Sequence, residues 1–206
     1  MIQSAQQLSS EANVRFRIRS SLRDIALNIQ TAADSTLPVQ IERAATIICD
    51  AFCTQHKLLI FGNGGSASDA QHLCGELVVR FQRNRRALPA IALCSDAAVM
   101  TACGNDFSYD QVFQRQIEAL GMAGDVALGI STSGNSRNVV NALQAARESG
   151  LSTILLTGPD SCTASSFSDI VISAPCTGTA RIQELHLASY HIICELIETR
   201  LFGGDQ

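Results

Sequence analysis

The chain has 206 residues, a formal net charge of −4 and an isoelectric point near 5.5, which excludes a general electrostatic footprint for nucleic acid or an anionic membrane. Hydrophobic residues make up 46% and charged residues 17%, so the composition also excludes disorder, and the length suits one buried core better than two catalytic domains. The one local basic candidate is the stretch carrying Arg80, Arg83, Arg85 and Arg86. Eight cysteines (Cys49, Cys53, Cys74, Cys94, Cys103, Cys162, Cys176, Cys194) are scattered without a C-x-x-C pair, mostly among apolar neighbours, and read as buried free thiols. The first residues lack the apolar core of a signal peptide, and no apolar run approaches the ~20 residues that span a bilayer. A reducing cytoplasm is the expected compartment.

In chain order, apolar residues recur at helical spacing over residues 4–33 and 39–52, with Pro38 at a helix start after Ser35 and Thr36. β-rich runs follow at 57–61, 89–93, 125–130, 152–156 and 169–173, separated by segments of helical pattern. Five strands with helical crossovers predict an α/β fold built on a parallel, doubly wound sheet. The final segment, 180–201, places Ile182, Leu185, Leu187, Ile192, Ile193, Leu196 and Ile197 at helical spacing, to lie against the sheet or a partner subunit. No repeat, low-complexity linker or composition shift divides the chain, so residues 1–206 read as one domain: a helical region over 1–55, then the sheet core and terminal helix over 56–206.

Two strand exits carry the chemistry. Gly62-Asn63-Gly64-Gly65-Ser66 leads from the first strand into a helix, and Ser131-Thr132-Ser133-Gly134-Asn135-Ser136 leads from the third strand into another. Glycines let the backbone approach an anion, while helix-start amides and hydroxyls donate to phosphate oxygens. Either loop alone is also how a tight turn is built, and the pair is the signal. Neither matches G-x-G-x-x-G or the G-x-x-x-x-G-K-[ST] loop, which lowers nicotinamide cofactors and nucleoside triphosphates on the list. On the helix after the first loop, His72 and Glu76 stand four residues apart and share a face. On the last helix, Gln183 and His191 are eight apart and return to roughly the same side. By itself a His and a Glu at that spacing is more often a surface pair than a site.

The successive stretches FGNGGSASDAQHLCGEL (61–77), PAIAL and TACGND (within 89–106), GDVALGISTSGNSRNVV (124–140), LLTG (155–158) and TARIQELHLASYH (179–191) resemble, in order, the motifs of the SIS family and within it the phosphoheptose isomerases. The resemblance implies a SIS-type three-layer sandwich with a five-stranded parallel sheet, a homotetramer, and conversion of sedoheptulose 7-phosphate to D-glycero-D-manno-heptose 7-phosphate for heptose precursor biosynthesis. It implies Glu76 as base and His191 as acid partner, with one Zn²⁺ per subunit on His72, Glu76, Gln183 and His191. It further implies substrate contacts from Asn63, Gly64, Gly65, Ser66, Glu76, Arg80, Asn105, Asp106, Ser131, Thr132, Ser133, Ser136 and Gln183. Unaided, Asn105 and Asp106 read as a turn after a helix, and Arg80 as a surface residue. Of the other histidines, His186 reads as a core or subunit-contact residue and His56 as exposed, while Arg181 and Glu184 read as an ordinary ion pair. Two other readings belong to the same family. One is a non-enzymatic SIS tetramer that binds the replication initiator protein, a group in which the Glu and terminal His are typically lost. The other is a SIS module that only senses a phosphosugar, and would keep the serines without needing base, acid or metal.

Overall fold

The computed structural model describes residues 2–159 and 161–203, with side chains from residue 13 onward. Helices α1 (Ile2–Ala33) and α2 (Leu37–Cys53) precede an alternation of β1 (Leu58–Gly62), α3 (Gly65–Val78), β2 (Ala90–Ala92), α4 (Ala97–Asp106), α5 (Gln114–Leu120), β3 (Val126–Ile130), α6 (Arg137–Glu148), β4 (Ser152–Thr157) and β5 (Ile170–Ser173), closed by α7 (Thr179–Phe202). The five strands are all parallel, in the order β2-β1-β3-β4-β5.

Strands β1 (LLIFG) and β3 (VALGI) are buried at every position, as expected where helices cover both faces of a parallel sheet. The period-2 alternation sorts the core into two layers. Leu58, Ile60, Val126, Leu128, Ile130, Ile154 and Leu156 pack with α2, α3 and α7. Leu59, Phe61, Ala127 and Leu155 face the opposite way, toward the α5–α6 side, with Phe113, Ile117, Val139 and Leu143. Gly129 lets α6 approach that closely, since a Cβ there would stand 3.0 Å from Val139 Cγ1.

Several boundaries move from their expected places. α2 begins at Leu37 with Pro38 in its first turn, where the sequence places the helix start, and the Leu37 amide donates to Ser35 Oγ at 3.1 Å ahead of it. β2 shrinks to three residues at the sheet edge, where Ile91 is exposed. Asn105 and Asp106 form the last turn of α4 and not a turn after a helix: Asp96 caps the start, accepting from the Ala98 and Val99 amides, and helical geometry ends only at Phe107. All eight cysteines are free thiols, but they are not uniformly buried; Cys53, the last residue of α2, is exposed. His56 is half-buried, not exposed, with Nδ1 3.3 Å from a carboxylate oxygen of the buried Asp125. Among the described residues, no helix is long and apolar enough to cross a membrane.

The first crossover runs from β1 outward to β2, and β3 then pairs on the other side of β1, so the strand order reverses between β1 and β3. In open parallel sheets the crevice at such a reversal, beyond the carboxyl ends of the strands, is where ligands bind. Both glycine- and serine-rich loops leave at this point, because Gly62 and Ile130 are direct register partners.

Candidate active site

Each loop opens a helix of useful length: α3 has 14 residues and α6 has 12. Neither helix has a side-chain cap; Gly64 and Ser136 occupy the cap positions without capping hydrogen bonds. α4, away from the reversal, is capped by a carboxylate. Two uncapped N-termini side by side present unsatisfied amides and the positive ends of two helix dipoles to one crevice, which suits an anion. Gly62 makes the first turn possible, since a Cβ there would press on the Ile130 carbonyl oxygen and on Ser66 Cβ, each at 2.8 Å.

Side chains brace the loops against each other. Asn63 and Asn138 exchange amide hydrogen bonds of 2.9 Å in both directions, and the Tyr109 hydroxyl donates to Asn63 Oδ1 at 3.0 Å. Buried Ser131 lies 3.2 Å from the Ser136 hydroxyl and accepts from the Gly134 amide at 3.1 Å, while exposed Ser133 accepts from the Asn135 amide. Ser66 is buried in the first turn of α3. Thr132 is half-buried, and its carbonyl accepts from the Gly158 amide. Asn138 and Tyr109 escaped the sequence reading; the buried asparagine on an otherwise apolar helix face is the signal that could have found one of them.

α3 and α7 lie along each other, and their facing residues form the second half of the site. Gln183 rests on Gly65 at the head of this seam. Farther along, Tyr190 reaches Asp69 and His72, and then His72, Glu76 and His191 converge, with ligand atoms all within 4.8 Å of one another. His72 Nε2 is 3.0 Å from Glu76 Oε1, and its Nδ1 is 3.0 Å from the Tyr190 hydroxyl, which donates to Asp69 Oδ1 at 3.4 Å. With Tyr190 donating to Asp69, its oxygen accepts the Nδ1 proton of His72. In that tautomer Nε2 carries a lone pair facing a carboxylate, and a cation satisfies both. His191 Nε2 is buried without a partner, as is Asp69 Oδ2. The donor set therefore fits a divalent metal ion.

The electrostatics agree with that assignment. Burial, reinforced by His72 and opposed by Glu76, holds His191 below the ordinary imidazole pKa, so it stays neutral and able to coordinate or accept a proton. Burial raises Asp69, against the opposing Tyr190 hydrogen bond and His72. Burial together with Asp69 raises the Tyr190 phenol, which stays protonated.

The remaining expected residues are more dispersed. Arg80 is exposed just beyond α3. Asn105 and Asp106 are exposed and bonded to each other at 2.8 Å, and Asp106 lines a separate cavity of about 730 Å³ with Phe107, Arg115 and Gln116. His186 is buried, as a core histidine should be, and Arg181 pairs with Glu184 at 2.8 Å.

The SIS domain family matches residues 23–158. The chain belongs to that family. SIS-domain relatives include the phosphoheptose isomerase of Citrifermentans bemidjiense, 50% identical over 174 residues, covering 84% of this chain and 91% of that protein. Another is the phosphoheptose isomerase of Trichlorobacter lovleyi, 49% identical over 187 residues, covering 90% of this chain and 94% of that protein. A solved SIS structure, the phosphoheptose isomerase of Neisseria gonorrhoeae, superposes with a TM-score of 0.85 at 37% identity, covering 90% of this chain and 99% of that one.

Proposed function

We propose that this SIS protein is a phosphoheptose isomerase: an aldose–ketose isomerase that converts sedoheptulose 7-phosphate into D-glycero-D-manno-heptose 7-phosphate through an enediol. The observation that carries the reading is the convergence of His72, Glu76 and His191 along one helix seam, whose head adjoins two uncapped helix N-termini. A phosphosugar sensor needs the second feature only. High identity to phosphoheptose isomerases over most of both chains supports the substrate.

In this reading the amides of Asn63, Gly64 and Gly65 and the hydroxyls of Ser66, Ser131, Thr132, Ser133 and Ser136 hold the phosphate, while Asn105, Asp106, Arg80 and Gln183 meet the rest of the sugar. Glu76 removes the proton from the carbon beside the carbonyl and returns it to the former carbonyl carbon, while His191, kept neutral by burial, accepts the proton from one oxygen and returns it to the other. His72, Glu76, Gln183 and His191 would hold one Zn²⁺. When bound, that ion supplies Lewis-acid stabilisation of the developing oxyanion.

The chain forms a single domain and works in the cytoplasm as a homotetramer, supplying a heptose precursor of lipopolysaccharide. The exposed Val14, Phe16, Ile18, Leu22, Leu27 and Ile29 of α1 support assembly, as does an apolar groove between α1, α2 and α7 lined by Ile29, Leu37, Ile41, Leu185, Ile192 and Leu196.

The test is incubation of the purified protein with sedoheptulose 7-phosphate, with and without a chelator, followed by detection of the aldose. Product that disappears on chelation and returns with zinc is expected. Glu76→Gln and His191→Asn should each lower turnover by about 10²- to 10⁴-fold. Zinc content measured in both variants separates lost metal from lost proton transfer. No product from the wild-type protein would overturn the enzyme reading in favour of a phosphosugar sensor or an adaptor for the replication initiator.

A further inference from the structure

Beyond the C-terminus of α3 the chain folds around a carboxylate that belongs to α7. Glu198 accepts from three consecutive backbone amides, Phe81 at 3.1 Å, Gln82 at 3.0 Å and Arg83 at 2.8 Å, and from Arg85 Nε at 3.1 Å. Both charged side chains are only 2% exposed. Burial opposes the charge on Glu198, but the three amides and the guanidinium outweigh it and hold the carboxyl below its ordinary range. The remaining nitrogens of Arg85 turn back to α3: Nη2 donates to the Glu76 carbonyl and Nη1 to the Leu77 carbonyl, each at 2.7 Å. These are orphan carbonyls at a helix end, and one belongs to the proposed base itself. The same loop lays the Phe81 ring on His191, with centroids 5.5 Å apart.

The network therefore grips both proposed proton handlers from outside the reacting space. Arg85 holds the backbone of Glu76. Glu198 stands seven residues, about two helical turns, beyond His191 on α7. Linking these two residues sets the axial register of α7 against α3, and with it the relation between the Glu76 carboxylate and the His191 ring. A buried ion pair is weak as a source of stability, because desolvation offsets most of its attraction; its strength is in specifying one arrangement over others. The fork of Arg85 suits that use, since a planar guanidinium can face a carboxylate and two carbonyls at fixed angles where an ammonium cannot.

We propose that Arg85 and Glu198, with Phe81, are positioning residues for the isomerisation, holding Glu76 and His191 in reactive register. This rests on the reading of Glu76 and His191 given above. Arg85 and Glu198 do not touch the reacting atoms; displacing them misaligns the proton transfer while leaving the phosphate loops, at the other end of α3, in place.

The experiment is steady-state kinetics on the zinc-loaded protein, with ordinary sedoheptulose 7-phosphate and with substrate deuterated at the carbon that loses its proton. Variants are Arg85→Lys, Phe81→Leu, Glu76→Gln and, as a control, Arg200→Ala, which removes only the exposed contact of α7 with Asp50 and Thr46 on α2. Circular dichroism at the assay temperature reports folding. For Arg85→Lys, which keeps the charge but loses the fork, kcat should fall on the order of 10-fold or more while KM stays within about twofold. The deuterium isotope effect on kcat should rise, because proton abstraction becomes rate-limiting. Arg200→Ala should match the wild type. A merely structural role would lower kcat only as the folded fraction falls and leave the isotope effect unchanged, and that result overturns the proposal. If Arg85→Lys does not fold, Phe81→Leu decides: a lower kcat with a raised isotope effect supports the proposal, and wild-type values for both overturn it. Wild-type turnover in Glu76→Gln would show that the reading of the base has failed, which is a different result from an inactive Glu76→Gln beside an unaffected Arg85→Lys.

Discussion

Lowering the pH from 6.5 to 4 should destabilise the native state through His186. Its side chain is 1% exposed and lies under the end of β4, where Nε2 is 3.1 Å from the Thr157 carbonyl oxygen. A carbonyl only accepts, so the proton is on Nε2. Nδ1 then carries a buried lone pair without a partner. Protonating Nδ1 would place an unpaired cation in the core, and burial accordingly lowers the pKa from 6.5 to about 4, with the Thr157 hydrogen bond opposing. The unfolded chain takes up this proton near pH 6.5 and the folded one only near pH 4. Between those values the unfolded state binds more protons, so stability falls with falling pH, and the loss is complete once the folded-state pKa is passed. At 1.36 kcal/mol per pH unit, the gap amounts to about 3 kcal/mol. For a chain of this size that corresponds to roughly 6–12 °C in Tm. The assay is thermal unfolding at half-unit pH steps for wild type and His186→Gln, which retains an N–H for Thr157 but cannot titrate. The variant's absolute Tm is irrelevant. The difference between the two curves should shrink by about 3 kcal/mol from pH 7 to pH 4; parallel curves would refute the argument.

Three further outcomes are expected. Ser131→Ala and Ser133→Ala should each raise KM about fivefold, the equivalent of one neutral hydrogen bond of ~1 kcal/mol, with kcat little changed; unaltered KM in both would remove these hydroxyls from the phosphate site. In Gly65→Ala the new methyl meets only the flexible end of Gln183, so Tm should hold while zinc content or turnover falls, whereas Gly134→Ala combines a φ of +61° with a clash against Cys162 and should lower Tm by the equivalent of at least ~1–2 kcal/mol; the opposite ranking in unfolding scans would contradict this assignment of the two glycines. Light scattering should give a mass near four times the 22.0 kDa chain, and a monomer at working concentration would contradict the use of the α1 surface for assembly.

Much of the architecture follows from local rules that act along the chain. Strands buried on both faces need uninterrupted apolar runs, and LLIFG and VALGI supply them; crossovers between parallel strands need helices, and the 3.6-residue pattern shows where they fall. The two loops are legible for the same reason, since an anion held by backbone amides demands glycine and small hydroxyl residues at a strand exit. His72 and Glu76 share a helix, so their proximity is a matter of spacing alone.

What the sequence could not determine depends on contacts between distant segments. Spacing says that Gln183 and His191 share a side of α7, but it does not say which helix that side faces. Only the packing of α7 along α3 brings His191 to His72 and Glu76, puts Tyr190 between Asp69 and His72, and rests Gln183 on Gly65. The Asn63–Asn138 bridge spans 75 residues and the Glu198 network 113 to 117, and neither Arg85 nor Glu198 is distinguishable by local pattern from an ordinary surface charge. Amide geometry, tautomer and burial arise only when the sheet is assembled. The sequence by itself therefore determined the elements, the loops and the identity of the chemical groups, because these follow from local propensity and periodicity. The tertiary structure decided which of those groups meet, because that is set by the packing of one helix on another.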